Sequence, residues 1–188
     1  MNAPSLVLRP ATAAPLRSPA ALHRAHATLA RGTAFFAARD WASDGTHARV
    51  IGNGLRELDR FLNLLLDEVA ALAGAVEDRA GFVRQTNAAN KLATLLGPAS
   101  LHGDRLRAIG RVRAALFHCG GRAHRPGLVA DFALALGRAG DGAPFAMLVV
   151  AAGDMALICA FYDRITAELL AIVKDGRAVL IDLSAMQP

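Results

Sequence analysis

The chain has 188 residues, of which 54% are hydrophobic and 20% charged, with a formal net charge of +5. That length carries one domain with a sizeable core, or one domain plus a tail, and an Ala- and Leu-rich composition favours helix. No run of 18 apolar residues is free of charge and glycine, which excludes a transmembrane helix. Cys119 and Cys159 form no CxxC pair and read as two buried free thiols of a cytoplasmic protein. Lys91 and Lys174 are the only lysines among 21 positive side chains. Such arginine usage follows from GC-rich coding, and it also suits bidentate phosphate binding. The positive balance permits an acidic partner such as nucleic acid.

Residues 1–17 contain Pro4, Pro10 and Pro15 without an apolar period, and are expected to be a disordered tail ahead of a single domain over 18–188. Arginines without an acid before Asp40 resemble a transit peptide in charge, but serine is scarce and no compact apolar region precedes a cleavage site. Ser18-Pro19 is a helix start, and the helix should run to about Ala38, with Trp41 packing the corner. Ser43 to Gly54 reads as a turn, with an interrupted helix as the other reading. Leu55, Leu58, Leu62, Leu65, Val69, Leu72 and Val76 then recur at spacings of 3, 4, 3, 4, 3 and 4, which predicts a helix over about 54–76. Phe61 and Leu66 widen this stripe, as in a bundle helix. A third helix is predicted over Asp78–Leu96, with a polar centre of Gln85, Thr86, Asn87 and Asn90; Gly97-Pro98 ends it. That polar patch is either solvent-exposed or a buried network beside the basic helix that follows. The fourth helix, capped by Ser100 or Asp104, reaches Cys119 and stops at Gly120-Gly121. From Leu128 to Val150 the period changes, and a small β-hairpin is expected there, with a short helix as the competing reading. A last long helix runs from Asp154 to about Val173, Asp175-Gly176 turns, and Ala178–Leu183 is read as a terminal strand. The expected fold is thus mainly α: an antiparallel bundle of four to five helices with a β-hairpin insertion near 128–150.

Chemistry concentrates in Leu101–Pro126, where Arg105, Arg107, Arg111, Arg113, Arg122 and Arg125 accompany His102, His118 and His124 against the single acid Asp104. On a helix, Arg107, Arg111 and His118 share a face, and Arg113 lies roughly 140° from His118. Fixed positive charge can neutralise phosphate, and an imidazole can move a proton near neutrality. These are the minimum parts for metal-independent RNA cleavage by the 2′-hydroxyl. The ordinary alternative is a solvated arginine face ending in a histidine that complements the helix dipole. Arg113-Ala-Ala-Leu-Phe-His118, and Arg111 to His118 with six residues between, resemble the Arg-x4–6-His motif of the all-helical HEPN superfamily. The polar residue usual after the motif arginine is replaced by Ala114 or Val112. The resemblance implies a homodimer with facing motifs, acting as a ribonuclease or as an RNA- or nucleotide-binding module. In that reading Arg111, Arg113 and His118 are the catalytic candidates, and Arg105, Arg107, Arg122 and Arg125 the nucleic-acid-binding ones.

Other constellations are weaker. His23 and His26 stand one turn apart, but no nearby carboxylate completes a metal set, so neither metal nor cofactor is expected. Gly120-Gly-Arg-Ala-His-Arg125 has no P-loop lysine. Phe161-Tyr-Asp-Arg164 reads as core plus a surface ion pair. The second reading of the whole chain is a non-enzymatic dimerisation or adaptor bundle that pairs through the Leu55–Val76 seam. A third is a small-ligand sensor with an apolar cavity walled by Phe35, Phe36, Trp41, Phe161 and Tyr162.

Overall fold

A computed structural model describes residues 19–39, 41, 47–74, 79–97, 102–138, 146–151 and 153–185, with side chains to residue 175. The protein is all-α. Its helices among the described residues are α1 (Pro19–Ala37), α2 (Ala48–Ala73), α3 (Arg79–Arg84), α4 (Ala88–Leu96), α5 (His102–Cys119), α6 (Leu128–Leu136) and α7 (Asp154–Ala185). The expected tail, the Ser18 and Ser100 caps, Val76 and Pro98 lie outside the described residues.

Helix α2 is the hub. It packs against α1, α5, α7, α4 and α3, so its stripe of Leu55, Leu58, Leu62, Leu65, Leu66 and Val69 is buried against the chain's own helices. The heptad spacing is therefore an intramolecular core, and the seam is not open to a second copy. The α2–α5 crossing is close: a Cβ added at Gly52 would stand 2.9 Å from the Phe117 backbone nitrogen and 3.1 Å from the Arg113 carbonyl oxygen. Gly→Ala in a helix interior normally stabilises by about 1 kcal/mol. Here the obstacle is backbone, which cannot swing aside, so Gly52→Ala is expected to lower the unfolding free energy by about 1–3 kcal/mol, measured by urea denaturation. An unchanged or raised midpoint would show that the two helices can part.

Trp41 packs the corner after α1 as expected, and its indole donates to the Phe36 carbonyl at 2.7 Å. Phe161 and Tyr162 are fully enclosed core residues, whereas Phe35 is half exposed beneath the Arg39 guanidinium, 4.6 Å from its ring centroid. Cys159 is buried, and burial first, then Asp163, pushes its thiol pKa up to about 12. Cys119 departs from expectation: it is exposed at the end of α5.

Three other expectations are corrected. The hairpin near 128–150 is absent from the described residues. Leu128–Leu136 is helix α6, bounded by left-handed Gly127 and Gly137, and the Gly137 N–H caps the Ala133 and Leu134 carbonyls. The alternation of Phe132, Leu134 and Leu136 with alanine misleads because alanine suits either face and is the best helix former. Residues 146–150 are extended, but they meet the turn after α5 and not a hairpin partner: Ala123 N–H donates to Ala146 and Leu148 N–H to Gly121, an isolated antiparallel bridge centred on Arg122 and Met147. The terminal strand over 178–183 is likewise replaced, since α7 continues through Gly176 to Ala185. A single interior glycine costs a helix only about 1 kcal/mol and does not end it. Finally, the predicted third helix is two helices. Asn87 breaks it by capping α4, accepting from Ala89 and Asn90 N–H at 2.9 and 3.4 Å.

Candidate functional site

The break between α3 and α4 opens a groove. Residues 85–87 stand off the helices, and α2 and α5 form the opposite walls. Two connected cavities, of about 330 and 450 Å³, share Asp59, Thr86 and Arg113. Arg56, Arg60, Asn63 and Asp67 from α2, with Lys91 from α4, border the first; Arg107 and Arg111 from α5, with Asn87, border the second. Cations from three helices thus converge on one groove, opposed within its lining by Asp59 and Asp67.

Most of these cations also hold a carboxylate. Arg113 Nη1 donates to Asp59 Oδ2 at 3.2 Å, tying α5 to α2. Arg111 makes a two-pronged pair with Asp131 of α6, with Nε donating at 2.7 Å; this pair and the Asp131 charge outweigh burial and hold the guanidinium still more firmly protonated. Arg107 reaches Asp104 at 2.9 Å, and Lys91 reaches Asp67 at 2.7 Å. A guanidinium carries five N–H donors, so one carboxylate leaves some of them for a ligand. Arg107, Arg111 and Arg113 remain 42%, 38% and 32% exposed, and the side chain of Asp104 is 83% exposed and free to give way.

Asp59 is the distinctive acid. Burial raises its pKa above the usual carboxylate value, against the lowering effect of Arg113. Behind it, in α7, the Tyr162 hydroxyl is fully buried with no hydrogen-bond partner among the described residues, and burial, followed by the Asp59 charge, pushes its pKa up.

The sequence candidates divide accordingly. Arg107, Arg111 and Arg113 meet in the groove. His118 does not: it is exposed near the end of α5, with the Phe117 ring edge-on at 4.9 Å, and does not border either cavity. Arg105 is a fastening, donating to the Ala135 and Leu157 carbonyls and lying 4.3 Å over the Phe161 ring. His102 Nε2 sits 2.8 Å from Glu168 and ties α5 to α7. Arg122 and Arg125 are exposed in the turn after α5, where Arg125 approaches Asp131 at 3.6 Å; neither borders the groove. The groove's α2 and α4 residues were not singled out from sequence. Their signal is the polar companion of the apolar seam: Arg56, Arg60, Asn63 and Asp67 recur at 4, 3 and 4. Gln85, Thr86, Asn87 and Asn90 are solvent-exposed, the first of the two readings of that polar patch, and the first three line the groove facing the basic helix without forming a buried network.

Among the described residues no group of three histidine, cysteine or acidic side chains could hold a metal ion, and no helix is long and apolar enough to cross a membrane. Family models, curated proteins and solved structures give no match to the chain.

Proposed function

We propose that this protein binds RNA or a nucleotide through the groove between α2, residues 85–87 and α5, as a HEPN-like helical protein that pairs with a second copy. The observation that carries the reading is the convergence of Arg107, Arg111 and Arg113 with Arg56, Arg60 and Lys91 on one open groove. Phosphate contacts supply most sequence-independent affinity, and arginine forks suit them. The all-α frame and the Arg-to-His spacing on α5 support the family likeness. Within one chain the described lining of the groove holds no imidazole, which favours binding over cleavage. A ribonuclease activity depends on a second copy bringing its own His118 to the phosphate, the arrangement that the resemblance implies.

The test is fluorescence anisotropy with a labelled single-stranded 12-mer RNA across salt concentration. Engagement of three α5 arginines predicts a log–log salt slope of about −2, at roughly −0.7 per phosphate. A flat salt response, or no binding at low salt, refutes the reading. Incubating the same RNA with the protein in EDTA, beside His118→Ala, separates cleavage from binding.

The adaptor reading rested partly on the seam, whose leucines are buried against α1, α5 and α7.

A further inference from the structure

We infer that Asp59 is a built-in competitor for the groove's anion, and that protonating or displacing it switches the groove from a self-paired to a ligand-binding state. The inference rests on the phosphate-binding reading above. Among the described residues Asp59 is the only carboxylate that borders both cavities, and its oxygen occupies Arg113, the only described cation that borders both. A phosphate in the groove therefore meets Asp59 at the same arginine it seeks. The two anions repel, so ligand binding and Asp59 protonation favour each other; the coupling is reciprocal.

Asp59 faces titratable groups from four helices. From α2 come Arg56, Arg60 and, further along, Asp67; from α4, Lys91; from α5, Arg107, Arg111 and Arg113; from α7, the Tyr162 phenol, with Cys159 behind it. Despite these cations, burial leaves the carboxyl easier to protonate than an ordinary aspartate. Protonation thus comes at higher pH than in an ordinary aspartate, and a bound phosphate raises it further. Nothing covalent changes: Asp59 gains a proton, and an Arg113 N–H turns from Oδ2 to the ligand.

The test uses the full chain and a labelled oligouridylate, whose phosphodiesters do not titrate between pH 5 and 8. Affinity is measured across that range for the native chain and for Asp59→Asn. The native protein should tighten on acidification. Asp59→Asn should bind roughly tenfold tighter at pH 8, the effect of removing one opposing charge, and should lose most of the pH dependence. Histidine protonation elsewhere would tighten both proteins equally on acidification, so an unchanged slope in Asp59→Asn overturns this inference while leaving the groove intact. Absence of binding by either protein at every pH overturns the phosphate reading and this inference together. A second readout needs no variant. The Asp59 carboxyl carbon, followed by NMR, should titrate at higher pH with oligouridylate bound; titration at the same pH with and without RNA overturns the competition.

Discussion

Leu62→Asp is expected to abolish the folded state. Leu62 has no exposed surface and stands mid-stripe on α2, the helix that α1, α4, α5 and α7 all pack against. The substitution removes a side chain worth about 2 kcal/mol of burial and places a carboxylate where no cation was provided. Lost packing and an unpaired buried charge together cost more than about 4 kcal/mol, against a total stability of about 5–15 kcal/mol for a domain of this kind. Circular dichroism with a thermal melt checks this. A cooperative melt near the native temperature would mean that α2 is not the core helix, and it would reopen the seam as a contact surface.

Asp67→Ala carries the second large effect. Lys91 is only 2% exposed, its ammonium lies 2.7 Å from Asp67 and it sits 5.4 Å over the Phe82 ring. Removing the carboxylate strands a buried ammonium, a loss of about 3–5 kcal/mol. Replacing the pair together, as Asp67→Leu with Lys91→Met, should restore most of that loss, because matched apolar groups need no counter-charge. Urea unfolding of the single and double variants decides. A single variant within about 0.5 kcal/mol of the native protein would show that water reaches Lys91 freely.

Asp59→Asn should behave in the opposite way in stability. A carboxyl whose folded pKa is raised favours the folded state below its unfolded pKa, and that contribution is lost as pH rises through the folded value. At pH 7 the ionised Asp59 is thus a net cost, even with Arg113 beside it. The asparagine variant should melt no lower than the native protein at pH 7, and its advantage should shrink towards pH 4. A clear drop at pH 7 would assign the Asp59–Arg113 pair a net structural benefit.

The helical elements with strong period were legible in the sequence, and the reason is burial. Leu55 to Val69 must face a core, so their spacing announces α2, and Gly120-Gly121 ends α5 because both adopt positive φ. Residues 128–136 were misread because alternating alanine carries no face. The break at Asn87 was missed because a polar helix centre and a side-chain cap look alike in one dimension. The site was half legible. The basic run on α5 points to the groove, but azimuth alone groups His118 with Arg107 and Arg111; the structure instead sets these two arginines on the cavity that Asp59, Thr86 and Asn87 also line, beside Arg113, which binds Asp59 across the helix crossing. Arg56 and Arg60 drew no notice because surface arginines on an amphipathic helix are ordinary until a second wall faces them.

The central claim, that the groove and not general positive charge holds the ligand, is tested most directly by a charge-matched pair of variants. Arg56→Glu with Arg60→Glu reverses two cations bordering the groove; Arg24→Glu with Arg31→Glu reverses two exposed cations of α1 outside it. Both change the net charge equally. With labelled single-stranded RNA at 0.1 M salt, where the screening length is about 10 Å, the groove variant should lose at least about tenfold in affinity and the α1 variant little. Equal losses in the two variants, or no loss in the groove variant, would contradict the account.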